Sequence, residues 1–102
     1  MHKILVLYPY PQDEKKFRPY YETKHMALVA RMPGILGYRF SFDVNGAGPG
    51  AAKPFYCVFE ADFADTAGFV KAVESEEGRA VREDAPNFST TPPTVANYTV
   101  SG

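Results

Sequence analysis

The chain of 102 residues has no tryptophan and a single cysteine, Cys57. One cysteine excludes an intramolecular disulfide, so no covalent staple supplements the core. No stretch concentrates positive charge, and the formal net charge is −1. Nucleic acid is therefore not expected as a partner, because phosphate binding draws on a dense basic face. No uninterrupted apolar run, ILVLY included, exceeds five residues, far short of a bilayer span. The opening MHKILVLYPYP carries no apolar segment long enough for a secretory signal. The expectation is a cytoplasmic protein of one domain, residues 1–102, without membrane contact. The two histidines, His2 and His25, are not spaced as metal ligands, so no metal and no cofactor is expected. Nucleophile elbows, Cys-x-x-Cys pairs and motif-supported Ser-His-Asp sets are absent as well.

What the chain does have is phenylalanine and tyrosine, 15% of its residues. They fall into periodic segments. KILVLYP (3–9) is apolar on both parities and stopped by Pro9, a strand buried on both faces. Residues 13–32 carry a helical stripe behind Asp13 as N-cap. At the helical period, Phe17, Tyr21, His25, Leu28 and Met32 fall within roughly 80° of one another. Pro19 predicts a kink inside this helix, or a first turn separate from its main part, and Pro33-Gly34 predicts its end. Residues 35–44 alternate as a strand, with Tyr38, Phe40 and Phe42 on one face and Arg39, Ser41 and Asp43 on the other. NGAGPGAAKP (45–54) reads as a loop and lacks the Lys-Ser/Thr ending of a phosphate loop.

A third strand follows at 55–61, with Phe55, Cys57 and Phe59 on one side and Tyr56, Val58 and Glu60 on the other. Two short helices are predicted at 65–75, capped by Asp65, and at 76–85. A last strand spans 93–100. The resulting β-α-β-β-α-β order is the ferredoxin-like pattern of an α+β fold with a four-stranded antiparallel sheet. Helices on one side cover only one face of that sheet. Leu5, Leu7 and Tyr56 then predict that a second copy covers the other, giving a homodimeric barrel with the helices outside.

His25 is the main candidate for chemistry, because its stripe points it at protein rather than water. Two readings stay open: a core histidine satisfied by a carbonyl or a tyrosine hydroxyl, and a cleft base tuned for proton transfer. Tyr21, one turn earlier, is the expected hydrogen-bond neighbour. The acidic pairs Glu76-Glu77 and Glu83-Asp84 are expected on solvated helix surface, where paired carboxylates are not tuned for catalysis.

ILVLYP, then F-x-x-Y-Y-x-x-x-H, then MPG-I-x-G-Y, then S-x-E-G-x-A-V-x-x-D-x-x-N-F and a closing YTV together resemble the EthD family of dimeric α+β barrels. That name comes from ethyl tert-butyl ether degradation beside a monooxygenase system. A more distant similarity is to methylmuconolactone methylisomerases. The histidine those enzymes carry between strands two and three has no counterpart in NGAGPGAAK. The resemblance implies a small-molecule catabolic protein with catalytic His25 and Tyr38. Tyr21, Phe40, Cys57, Phe59 and Phe88 would line the site for a small apolar carbonyl compound or lactone. It equally admits a non-catalytic binder or accessory protein for a partner monooxygenase.

Overall fold

In the computed structural model, which describes residues 1–102, four strands form one sheet. They are β1 (His2–Tyr8), β2 (Gly37–Ser41), β3 (Cys57–Phe63) and β4 (Thr94–Thr99). The order across the sheet is β2-β3-β1-β4 with every neighbouring pair antiparallel. β1 ends just before Pro9, which has no N–H to give to a ladder. Its two apolar rows serve different layers. Ile4, Val6 and Tyr8 share a face with their β3 partners Ala61, Phe59 and Cys57, beneath the helices. Leu5, Leu7 and Val58 point to the opposite face and are half-buried.

The first helix is a rod of three parts: α1 (Glu14–Tyr20), a π-helical turn (Tyr21–His25) and α2 (Met26–Val29). Asp13 caps it, accepting a 3.2 Å hydrogen bond from the Lys16 amide. Pro19 does not end the rod. The Thr23 hydroxyl donates to the Pro19 carbonyl at 2.7 Å, and the wider turn follows directly. Its closing bond runs from the Met26 amide to the Tyr21 carbonyl, five residues back. The extra residue in that turn re-phases everything after it. Phe17, Tyr21 and His25 keep the predicted inward face, but Met26 and Val29 join them in the core. Leu28, expected inward, is only half-buried and borders a surface groove with Arg31, Glu77 and Ala80.

After Gly34, whose φ of 75° suits a residue without Cβ, the chain enters β2. Two helices follow β3: α3 (Thr66–Glu74), capped by Asp65, and α4 (Glu76–Asp84), capped by Ser75. A 3₁₀ turn (Ala85–Asn87) continues α4. The α3–α4 junction is tight. A Cβ on Gly78 would collide with the carbonyl oxygens of Ala72 and Val73. Gly78→Ala should therefore destabilise the fold by about 2–3 kcal/mol, read as a lower urea midpoint at unchanged slope.

This is the ferredoxin-like α+β fold, with one face of the sheet under helices and the other open. No helix is long and apolar enough to cross a membrane. Tyr56 departs from its expected side. β3 starts at Cys57, and the Tyr56 ring lies 5.1 Å from Phe17 and 5.2 Å from Phe42, on the helical side. It contributes nothing to the open face. His2, at the chain start, is buried. Its Nε2 lies 2.9 Å from Asn97 Oδ1 and its Nδ1 lies 3.2 Å from Thr99 Oγ1. With both ring nitrogens partnered, it ties β1 to β4.

Candidate functional site

The π turn ends at His25, and α4 ends at Asp84. The two meet between the helices: His25 Nδ1 lies 2.9 Å from Asp84 Oδ2. His25 is 3% exposed and Asp84 8%. The other carboxylate oxygen, Oδ1, accepts from the Tyr20 hydroxyl at 2.6 Å and from Asn87 Nδ2 at 2.9 Å. Asp84 thus corrects the reading of Glu83-Asp84 as a solvated pair: Glu83 is exposed and Asp84 is not. The signal for it was present. Val81, Asp84 and Phe88 recur at helical spacing, which puts the aspartate on the inward face. Tyr21, the expected hydrogen-bond neighbour of His25, instead lies beside its ring at 5.3 Å in a stacked arrangement. Phe88 closes on the imidazole at 4.6 Å.

Electrostatics follow from this packing. Burial pushes the His25 pKa down, and the hydrogen bond and charge of Asp84 only partly offset it. Burial alone would raise Asp84, but hydrogen bonds from Tyr20, Asn87 and His25 outweigh it and hold the carboxyl below its usual range. At neutral pH the pair is a carboxylate beside a neutral imidazole. An ionised carboxylate can only accept, so the ring proton sits on Nδ1. Nε2 is left as a lone-pair acceptor with no hydrogen bond to the chain.

His25 also lines a cavity of about 80 Å³ between the helices and the sheet. Its floor is Ile4, Val6 and Tyr8 of β1 with Phe59, Ala61 and Phe63 of β3. Its roof is Val29 and Met32 on one side and Phe69, Val73 and Val81 on the other. Apart from the Tyr8 side chain, His25 is the only residue there with a polar group. An empty apolar space of this size costs on the order of 2 kcal/mol, at about 24 cal/mol per Å³.

The remaining candidates take different places. Phe59 lines the cavity. Phe40 packs edge-on against Tyr21 at 5.5 Å, one layer back from His25. The Tyr21 hydroxyl is buried near Tyr8 and Cys57 without a well-formed hydrogen bond. Cys57 is fully buried, and burial pushes its thiol up to about 12, so it stays protonated and unreactive at neutral pH. Tyr38 stands apart. Its ring is 37% exposed, stacks on Phe59 at 6.3 Å and does not line the cavity. The structure does not bring Tyr38 to His25.

The EthD domain model matches residues 9–92. The crystal structure of an EthD family protein from Bacillus halodurans is 25% identical, covers 99% of both chains and superposes with a TM-score of 0.87. An uncharacterised 11.0 kDa protein from the thcB-thcC intergenic region of Rhodococcus erythropolis is 27% identical over 89 residues, 87% of this chain and 84% of that one. A dimeric ferredoxin-like protein of unknown function from Thermobifida fusca shares the fold at 16% identity, over 97% of this chain and 89% of that chain, with a TM-score of 0.68.

Proposed function

This chain belongs to the EthD family, and on that premise we propose that it is a small-molecule catabolic protein whose His25 moves a proton to and from a bound ligand. The observation that carries this reading is the 2.9 Å contact between His25 Nδ1 and Asp84, which leaves Nε2 unpartnered on a ring that borders an apolar cavity. Neutral His25 takes a proton through Nε2. Asp84 then faces an imidazolium, whose charge it stabilises while keeping the ring oriented. Tyr20 and Asn87 keep Asp84 ionised, so the proton stays on the imidazole rather than passing to the carboxylate. Phe88 and Tyr21, 5.3 Å from each other, pack together against the imidazole and help keep water from it. The ligand is small, uncharged and mostly apolar, with its proton-bearing group toward His25, and the chemistry is of isomerase or cyclase type.

The pH dependence tests this directly. A base must be unprotonated to act, and the pKa of His25 lies below its ordinary value of about 6.5. Exchange of a carbon-bound ligand proton with solvent, followed by NMR, should be flat above that value and fall only as the pH drops through the lower one. A limb at or above about 6.5 contradicts the assignment. The thin polar inventory of the cavity favours a second reading, a binder or accessory protein for a monooxygenase system. Saturable binding with no exchange at any pH assigns that role.

We further propose that the protein acts as a homodimer through the open face of its sheet. Leu5, Leu7 and Val58 form an apolar strip there, continued by Ala96 of β4. The charges at one end of that face are already matched. Lys3 Nζ lies 3.5 Å from Glu60 and 3.4 Å from Asp62, and Arg39 pairs with both acids. The Arg39 guanidinium holds the Asp62 carboxyl below its usual range. Two cations against two anions can be covered without burying net charge, and the Thermobifida protein of the same fold is dimeric. Sedimentation should give a dimer at micromolar concentration and a monomer for Leu5→Lys. A wild-type monomer there contradicts the proposal.

A further inference from the structure

The cavity beside His25 is bordered on the sheet side by one small side chain. The inward row of β3 reads Cys57, Phe59, Ala61, Phe63, and Ala61, 1% exposed, is the only methyl-sized member. Its register partner on β1 is Ile4, whose side chain also borders the space. Any longer side chain at 61 would rise between Phe59 and Phe63 and fill it. The fold therefore keeps a central alanine in a strand where large and β-branched residues pack better.

The shape and chemistry of the space restrict what enters. About 80 Å³ is available, and a cavity of about 150 Å³ takes up benzene, so the fit is to about three to five non-hydrogen atoms. No cation lines it, and an anion brought there would lose its hydration without gaining a partner. The walls are otherwise aliphatic and aromatic. Because Nδ1 donates to Asp84, Nε2 can only accept, so a complementary ligand must offer a hydrogen-bond donor.

We propose that the cavity is the binding site of an uncharged short-chain alcohol, with its hydroxyl on His25 Nε2, and that Ala61 sets the size limit. The proposal rests on the lone-pair Nε2 of the proposed function, but not on the proton transfer itself. It differs from a lactone-sized or aromatic ligand, which this space would not hold.

The test is an NMR titration of the intact protein with four probes, observing the Ala61 methyl and the His25 ring nitrogens. The probes are 2-butanol, 2-butanone (same size, no donor), propionate (same size, charged) and phenol (donor, larger). We expect saturable millimolar binding of 2-butanol, with a shift of Nε2. The other three should bind at least about tenfold more weakly, the loss expected when one buried hydrogen bond or the fit fails. Ala61→Leu, and the milder Ala61→Val should the leucine variant not fold, should lose 2-butanol binding while the Nδ1–H resonance of His25 stays in place. Phenol or propionate binding as tightly as 2-butanol overturns the proposal. So does 2-butanol binding unchanged in both Ala61 variants, or no saturable shift with 2-butanol. The two readings fail separately. If phenol saturates the site and the carbon-bound α protons of 2-butanone still exchange with solvent in a His25-dependent way, the size limit falls and proton transfer stands. If 2-butanol binds as expected and those α protons do not exchange, proton transfer falls and the alcohol site stands.

Discussion

His25→Gln is expected to slow ligand proton exchange by about 10²–10⁴-fold, the usual contribution of a positioned general base. Glutamine matches the buried volume closely enough for the fold to persist, and its amide cannot accept a proton at neutral pH. Binding should change little, so the loss belongs in the rate of exchange rather than in the affinity. Asp84→Asn is the more discriminating partner in this series. An asparagine amide can donate to Nδ1, which would move the ring proton to Nε2 and remove the acceptor from the cavity. A loss of the same order is expected. It carries a signature that a structural role would not produce. Asp84 is what partly offsets the effect of burial on His25, so without its charge the imidazole pKa falls further. The acid limb of the residual exchange should move to lower pH. A limb that stays in place, with activity intact, would mean that Asp84 serves only packing.

Phe17→Ala should be the most damaging single truncation, at about 3–5 kcal/mol. Phe17 has no exposed surface. Its ring lies 5.0 Å from Phe88, 5.1 Å from Tyr56 and 5.5 Å from both Tyr8 and Tyr21. Truncation leaves a cavity lined by rigid rings that cannot collapse into it. Two of those rings, Tyr21 and Phe88, are the walls of His25, so the imidazole should also become more mobile. Urea unfolding measures the first effect, and line broadening of the His25 ring resonances the second. A cost below about 1 kcal/mol would show that the aromatic cluster is not the centre of the core.

Much of this arrangement was legible in the residues. Strand and helix order followed from periodicity and from turn residues such as Pro9 and Pro33-Gly34. The inward position of His25 followed from its spacing to Phe17 and Tyr21, and Leu5 and Leu7 marked a second apolar face. The rest was hidden for identifiable reasons. A regular helical period places Leu28 inward, and nothing local announces the extra residue that the π turn inserts before it. Asp84 was masked by its neighbours, because EEGRAVRED looks like a solvated surface when charges are counted. Only the positions of Val81 and Phe88 around it point inward. Tyr38 shares a strand face with Phe40, yet the helices do not reach over it, and no pattern within one strand records how far a neighbouring layer extends. The burial of His2 has no local signal, because its partners Asn97 and Thr99 come from the far end of the chain. Long-range pairing of that kind is decided by sheet order.

The proposed chemistry requires His25 to be a neutral imidazole, protonated at Nδ1 toward Asp84 and unprotonated at Nε2. Nitrogen NMR of the His25 ring at neutral pH measures both atoms at once. A protonated Nδ1, slow to exchange with water, and an unprotonated Nε2 are expected. A proton on Nε2 at neutral pH, as the other tautomer or as the imidazolium, would contradict it.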